Sequence, residues 1–277
     1  MSDPQIIPKS PFVHLHVQSM YSLYDGIGSP EQIIERAKEF GYDTIALTDR
    51  HALYGAVEFY EEAHKAGVKP IIGVLLSLAA NKHTDKRAGI DQHSSSLTVL
   101  AETNEGYHNL LKLITISYLE GFYYRPRIDK DLLRQYGAGL IVLSGDLKGE
   151  IPKALLSHDM ERAEKLTREY LDILGPDHFY LELIHHPESP SNTEVNGLLI
   201  ELSKKTGAPI VVTKETHYLH EDDAEALDVL VCIHDGKTTE DPNRQSLATT
   251  DLSLGGPDEV IKAVSYTHLT LPTILRV

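Results

Sequence analysis

The 277-residue sequence predicts an α/β fold in which about seven strand–helix units close into a barrel. Two observations lead to this prediction. Short apolar runs rich in β-branched residues alternate along the chain with longer segments whose apolar residues recur every three or four positions. Strands that are each followed by a helix imply a parallel sheet, and about seven such units favour a closed barrel. An open, doubly wound sheet is the alternative that this pattern leaves.

The predicted strands are short runs of four to nine residues. They are Phe12–Val17, Thr44–Leu47, Pro70–Leu78, Leu97–Ala101, Leu140–Ser144, Phe179–Leu183 and Ile210–Thr213. The polar stretch Ala79–Ser96 predicts a surface loop. Helices are expected between the strands. The first has an N-cap at Ser29, a first-turn Pro30, a capping-box Gln32 and an end at Gly41. The others are Gly55–Ala66, Tyr107–Leu119, Met160–Leu174, Ser191–Thr206 and Asp222–Ile233.

The composition predicts a cytoplasmic protein without a membrane partner. The formal net charge is −15, and no basic run of the kind that grips duplex DNA is present. A single cysteine, Cys232, excludes an internal disulfide and suits a reducing compartment. The N-terminus has no signal-peptide pattern, and no apolar run approaches the roughly 20 residues of a membrane helix.

Polar residues collect where the predicted strands end, which is where parallel barrels place their functional groups. The pair His14-x-His16 lies in the first strand, and Glu215-x-His217 follows the last. Alternation along a strand puts both members of a pair on one face, and closure of the barrel would bring the two pairs together. Metal binding and ordinary packing with hydrogen bonds are both open readings of these pairs.

Several segments together carry a resemblance to a known family. The runs Phe12-Val-His-Leu-His-Val and Tyr21-Ser-Leu-Tyr-Asp-Gly resemble the opening motif of the PHP (polymerase and histidinol phosphatase) domain. The run Tyr118-Leu-Glu-Gly-Phe-Tyr-Tyr-Arg-Pro-Arg-Ile-Asp and the segment Asp241-Pro-Asn-Arg resemble the bacterial DNA polymerase III alpha-subunit family. The resemblance extends in order over residues 10 to 264. It implies a PHP-type distorted (β/α)7 barrel.

The resemblance implies a role in DNA replication. The full-length family members synthesise DNA on a template with Mg²⁺, and their partners are the polymerase body, DNA, dNTPs and other replisome subunits. The carboxylates of that reaction lie beyond this chain. In intact PHP domains a cluster of His, Asp, Glu and Cys holds metal ions, for which Zn²⁺ or Mn²⁺ is expected, and supports phosphoester hydrolysis. We therefore expect either a structural and interaction module that is inactive alone, or a residual phosphoesterase or 3′–5′ exonuclease.

Matched position by position, the ligand set of the family is only partly present. Five positions keep a residue able to bind a metal, namely His16, Asp25, Asp146, Glu215 and His217. Four do not, namely Gln18, Arg50, Leu75 and Ser96. Arg50 places a permanent cation where a metal ion would sit, and it could instead pair with Asp25, Asp49 or Glu215. A degenerate metal site is the expectation.

The sequence also suggests how the chain is divided. We expect an N-terminal extension over residues 1–11, the barrel over 12–234 and a connector toward the polymerase body over 235–264. Residues 265–277 depart from the family pattern and suggest a truncation or frameshift. On the loop after Tyr123-Tyr124, the residues Arg125, Arg127 and Asp129 could touch DNA or another domain, or form a surface ion-pair network.

Overall fold

The structure is a computed structural model that describes residues 12–244, 246–247 and 250–257. The expected extension 1–11 and the tail 265–277 lie outside these residues, and the expected connector 235–264 is described only in part. Within the described ranges, no helix combines the length and the apolar character that crossing a membrane requires.

The described strands and helices alternate through most of the chain. The strands are β1 His16–Val17, β2 Thr44–Leu47, β3 Lys69–Ala79, β4 Ser94–Ala101, β5 Arg127–Ile128, β6 Leu140–Leu143, β7 Phe179–Ile184, β8 Ile210–Thr213 and β9 Glu215–Thr216. The helices are α1 Pro30–Glu39, α2 Ala56–Ala66, α3 Asn104–Leu119, α4 Lys130–Tyr136, α5 Glu150–Leu156, α6 Met160–Leu174, α7 Pro190–Thr206 and α8 Ala224–Asp235. A 3₁₀ turn, Glu221–Asp223, precedes α8.

The sheet curls and closes, which confirms the predicted distorted barrel. Its strand order is β2-β3-β4-β6-β7-β8, with β5 paired to β3. The strand β1 pairs with β9 in parallel, and β9 follows β8 almost directly along the chain. On its other side β1 bonds to β2, because the amide of Thr48 donates to the carbonyl of Val17 at 2.7 Å. The first and last strands therefore meet.

The prediction of a wholly parallel sheet is wrong at β4. This strand runs antiparallel to both β3 and β6. The connection from β3 to β4, residues 80–93, contains no helix, so the chain returns beside β3 instead of crossing over the sheet. The antiparallel ladder also extends to the pair Ala79↔Ser94. Both ends of the stretch predicted as a loop, Ala79 and Ser94–Ser96, thus belong to strands.

Four of the described strands and helices were not predicted: β5, β9, α4 and α5. Each is short, since β5 and β9 have two residues and each helix has seven, which is too few for a clear helical period. A local signal for α4 is Asp129, whose carboxylate caps the helix by accepting from the amide of Leu132 at 2.9 Å.

The predicted start and end of α1 are confirmed. Ser29 and Gln32 form a reciprocal capping box, with Gln32 N to Ser29 Oγ at 3.2 Å and Ser29 N to Gln32 Oε1 at 3.0 Å. Gly41 follows the helix with a φ of 75°, a left-handed conformation that glycine adopts without strain. This helix packs with α2 and the outer side of β2.

An apolar plug fills the interior of the barrel below the mouth. Its buried members come from strands all around the ring and include Leu15, Ala46, Ile71, Leu100, Ile141, Leu143 and Val211. A second, larger core lies between the outer faces of the strands and helices α3 to α7. Because the plug seals one side of the barrel, the polar residues at the strand ends meet at the other side, the mouth.

Candidate active site at the mouth of the barrel

The first and last strands bring two sequence motifs into contact, as predicted. His16 of β1 lies in register with Glu215 of β9. The two-residue spacing also places His217 on the same side as Glu215, with His217 Nε2 at 2.9 Å from Glu215 Oε1. The strand pairing therefore positions these three side chains at one point of the mouth.

His16 lies fully buried between two carboxylates. Its Nδ1 is 3.1 Å from Glu182 Oε1 on β7, and its Nε2 is 4.0 Å from Glu215 Oε1. Burial lowers the pKa of His16, but the hydrogen bond to Glu182 and the charges of Glu182, Glu215 and Asp146 outweigh this and raise it to about 9. His16 is therefore an imidazolium at neutral pH, held by negative charge on both sides.

Two further imidazoles, those of His217 and His186, lie beside the carboxylate of Glu215. His217 lies at 2.9 Å, as above, and His186 Nε2 lies 3.6 Å from Glu215 Oε2. Burial raises the pKa of Glu215, but the neighbouring imidazoles of His186, His217 and His16 outweigh it and hold the pKa well below its usual range. The other ring nitrogen of His217, Nδ1, contacts the backbone carbonyl of Asp25.

Arg50 and Asp25 form an ion pair across the mouth. Arg50 Nε donates to Asp25 Oδ2 at 2.5 Å, and both side chains are partly exposed. The backbone of Arg50 is fixed because its amide donates to Ser22 Oγ at 2.9 Å and because it bridges to Leu75 on β3. The carboxylate of Asp25 thus faces the guanidinium of Arg50.

Asp49 fastens the loop that carries Asp25. It is buried and accepts hydrogen bonds from Ser19 N at 2.7 Å and from Ser22 Oγ at 2.7 Å. Burial raises the pKa of Asp49, although the hydrogen bonds from Ser22 and Ser19 act against this. The residue that precedes Arg50 therefore has a structural role, which is to hold the turn after β1 against the end of β2.

The remaining substituted positions hold no charge. Ser96 Oγ donates to the carboxylate of Asp146, which also accepts from Lys148 N at 2.7 Å. Leu75 is buried. Gln18 is also buried, and neither atom of its side-chain amide has a hydrogen-bond partner among the described residues. Asp146 thus serves Ser96 and the local backbone.

His51 completes this side of the mouth. Its Nε2 lies 2.8 Å from Ser77 Oγ on β3. Burial, together with the positive charges of Arg50 and Arg125, lowers the pKa of His51 from 6.5 to about 4. The ring is therefore neutral at pH 7.

Two sequence expectations are corrected here. His14 and His16 do not share a site, because His14 Nε2 contacts Tyr42 Oη and Gly255 O, on the side away from Glu182. A two-residue spacing puts both rings on one face only in a regular strand, and β1 is regular only from His16 onward. Arg127 and Asp129 do not form a surface network, since both are buried. The guanidinium of Arg127 bonds to backbone carbonyls, including Asp91 O at 2.5 Å and Gly121 O at 3.0 Å.

Two site residues, Glu182 and His186, were absent from the predicted ligand set. Glu182 is buried and accepts from both His16 and Thr213, the latter at 2.8 Å. His186 is buried, and both of its ring nitrogens lack a hydrogen bond among the described residues. The signal that could have found them is their place at the carboxyl end of β7, where polar residues interrupt an apolar run.

The mouth opens into a cleft of about 350 Å³ lined by Asp25, Arg50, Asp146, His186, Glu215 and His217. These residues do not fit the multinuclear metal cluster that the resemblance implies. The carboxylate of Asp25 already accepts a hydrogen bond from Arg50. In the described part of the chain, no group of three or more His, Cys, Asp or Glu is arranged to hold a metal ion. The arrangement consists of oppositely charged side chains, buried around Glu215 and partly exposed at Arg50 and Asp25.

The chain is similar in sequence to DNA polymerase III alpha subunits of two bacteria. The DNA polymerase III subunit alpha of Borreliella burgdorferi is 40% identical over 270 residues, which cover 97% of this chain and 23% of that protein. The subunit of the same name from Treponema pallidum is 37% identical over 265 residues, which cover 95% of this chain and 23% of that protein. The chain thus spans less than a quarter of the length of these relatives.

Among solved structures, an amidohydrolase from Chromobacterium violaceum aligns with a TM-score of 0.48 at 13% identity, covering 74% of this chain and 87% of that one. The family described as the PHP domain matches residues 14–186, which hold β1 through β7 and most of the mouth. The chain therefore belongs to the PHP domain family.

Proposed function

We propose that this chain is the N-terminal PHP domain of a bacterial DNA polymerase III alpha subunit, and that its barrel is a structural and interaction module. The similarity to alpha subunits over more than nine-tenths of the chain supports the first part. The full-length protein would synthesise DNA on a template in the cytoplasm, with Mg²⁺, dNTPs and the other replisome subunits as partners. The polymerase chemistry would lie in the part of the relatives that this chain does not cover.

The observation that carries the second part is the ion pair of Arg50 with Asp25. A guanidinium is a permanent cation, and placed 2.5 Å from a carboxylate it neutralises the charge that a dication would otherwise neutralise. On the opposite side, the imidazolium of His16 has the same effect between Glu182 and Glu215. The positive charges that the mouth needs are thus supplied by side chains, so the barrel can stay closed without a metal ion.

One assay on the purified 277-residue chain and one inspection of genomic sequence test the proposal. We expect no template-directed incorporation of dNTPs, because the carboxylates of that reaction would lie elsewhere. Incorporation by this chain would contradict the assignment of the chemistry. The genomic sequence that flanks the coding region gives an independent check, since the proposal requires polymerase motifs downstream.

A residual phosphoesterase or 3′–5′ exonuclease is the second candidate. It is favoured by the atoms of the mouth that have no hydrogen bond among the described residues, which are His16 Nε2, Glu182 Oε2 and both ring nitrogens of His186. Two of these atoms, His16 Nε2 and His186 Nε2, lie 4.0 Å and 3.6 Å from the carboxylate of Glu215. A small ligand could bind them, for example a single weakly held Zn²⁺ or Mn²⁺.

Trimming of a labelled oligonucleotide in the presence of Mn²⁺ or Zn²⁺ separates the two candidates. A residual exonuclease predicts 3′ trimming that His16→Ala and His217→Ala abolish. Hydrolysis of a generic phosphate ester, lost in the same variants, would support a phosphoesterase instead. The structural role predicts neither activity in the unaltered chain.

A further inference from the structure

Exposed aromatic side chains form a surface beside the mouth, which we call the aromatic face. It consists of Tyr54, Tyr118, Phe122 and Tyr124, which are 67%, 39%, 49% and 69% exposed. Tyr54 follows β2, and the other three lie at the end of α3 and in the loop after it. Large aromatic side chains grouped at a surface are typical of binding sites.

The register of the sheet shows that these two segments are neighbours. Along one edge of β3, Arg50 bridges to Leu75 and Arg127 pairs with Ser77. Arg50 and Arg127, from which the segments 50–54 and 121–126 extend, therefore lie two residues apart along that edge. The side chain of Tyr54 is close enough to that of Tyr118 to raise its pKa. The rings of Tyr123 and Tyr124 lie 4.8 Å apart in an edge-to-face arrangement. The register thus brings the two segments that carry the aromatic face to the same edge of β3.

Cations border this face. Arg125 follows Tyr124, and its charge acts on both His51 and Lys153. Lys148 lines the cleft of the mouth together with Arg50 and Asp146. In the described part of the chain, the side chains of Arg125 and Lys148 form no hydrogen bond or ion pair. Their charges are therefore available to a ligand.

Nearby acidic groups are largely occupied. Asp25 is paired with Arg50, and Asp146 accepts from Ser96 and from a backbone amide. Glu120 lies 3.7 Å from the ring of His83. In a chain whose net charge is −15, a rim with unpaired cations differs from the average surface, and local potential decides what such a surface attracts.

The backbone is strained at two positions here. Tyr124 and His51 have φ angles of 63° and 62°, in the left-handed region that residues with a Cβ rarely adopt. Such conformations cost stability and are concentrated at functional sites. At Tyr124 this conformation presents the ring to solvent.

We propose that the aromatic face binds single-stranded nucleic acid, with bases stacked on Tyr54, Phe122 and Tyr124 and phosphates facing Arg125 and Lys148. Exposed rings stack on unpaired bases, which a duplex hides, and a few cations are sufficient for a short strand. Duplex binding would need the basic patch that the sequence lacks. The inference goes beyond the proposed function and does not depend on it.

Fluorescence anisotropy with a short labelled oligo-dT strand tests the inference on the whole 277-residue chain. A chelator excludes metal-dependent hydrolysis of the strand. Low salt strengthens electrostatic binding, so that a weak complex can be detected. We expect binding that weakens as salt rises, and a loss of about five-fold or more in affinity for Phe122→Ala and Tyr124→Ala. Arg125→Ala should weaken binding and reduce its dependence on salt concentration by about one counterion.

Matched variants distinguish stacking from a change of fold. Tyr124→Phe keeps the ring and should bind like the unaltered chain. Tyr60→Ala on α2 and Lys204→Ala on α7 remove an exposed ring and an exposed cation elsewhere and should leave binding unchanged. Circular dichroism confirms that each variant is folded. The inference is overturned if the chain does not bind the strand at low salt, as expected if the face docks a protein, or if the control variants weaken binding equally.

Discussion

The two halves of the barrel mouth hold their polar side chains in different ways. The histidine half, from β1, β7 and β9, consists of His16, Glu182, His186, Glu215 and His217. The paired half, around β2, β3, β4 and β6, consists of Asp25, Arg50, Ser96 and Asp146. The first is deeply buried and leaves several polar atoms without a hydrogen bond among the described residues. The second is partly exposed, and its charged groups have direct partners.

The two halves therefore differ in how strongly a charge without a partner would destabilise the fold. In the histidine half, each charged group depends on its neighbours, because a buried charge without a partner is strongly unfavourable. In the paired half, water reaches Arg50 and Asp25 and solvates their charges. Two of the four positions that lack the ligand implied by the family resemblance, Arg50 and Ser96, lie in the paired half.

The largest expected effect tests the dependence of the histidine half on its carboxylates. Glu182→Ala removes the partner of His16 and leaves a buried imidazolium beside one remaining carboxylate. We expect the free energy of unfolding to fall by about 3–5 kcal/mol, as when one member of a buried pair is removed. Urea denaturation measures it. Glu201→Ala, on the exposed side of α7, is the control, with an expected change below about 0.5 kcal/mol.

A pH effect is expected from His51 at the edge of the paired half. Its pKa is about 4 in the folded chain, against 6.5 for the free side chain. Between these values the unfolded chain binds more protons, so stability falls as pH drops from 6.5 to 4, by about 3 kcal/mol at most. His51→Gln should reduce this loss.

Unfolding curves of both proteins at pH 7 and pH 4.5 provide the measurement. His14 also has a pKa lowered to about 4, but it is present in both proteins, so the difference between the two isolates His51. An equal loss of stability in the variant would show that His51 is not the group responsible.

The smallest expected effect concerns the ion pair of the paired half. Arg50→Ala leaves Asp25 without its partner, but both side chains are partly exposed, so we expect a loss of only about 1 kcal/mol. Thermal and urea unfolding check this value. A loss as large as that of Glu182→Ala would remove the distinction between the two halves.

Much of the fold could be read from the sequence because long apolar runs and helix caps are local signals. Thr44–Leu47 and Ile210–Thr213 were predicted to the residue, as was Met160–Leu174. The direction of β4 was not, because it depends on a connection without a helix rather than on the strand itself. The short α4 and α5 were missed because seven residues give no clear period.

The site was predicted less completely because it is built by contacts distant in sequence. The pairing of His16 with Glu215 followed from barrel closure, and the Arg50–Asp25 pair was among the expected partners. Glu182 was missed because its role depends on the approach of β7 to β1, which the order of residues does not reveal. Arg127 was expected at the surface because a charged side chain is usually exposed. The backbone carbonyls that bond to its buried guanidinium cannot be recognised from the sequence.

Metal content tests the central claim most directly, which is that side-chain charges rather than metal ions balance the mouth. The 277-residue chain is incubated with Zn²⁺ or Mn²⁺, dialysed, and analysed by mass spectrometry of the elements, beside a His217→Ala variant. Our account predicts much less than one ion per chain, and no difference between the two proteins. Retention of one or more ions per chain, lost in His217→Ala, would contradict it.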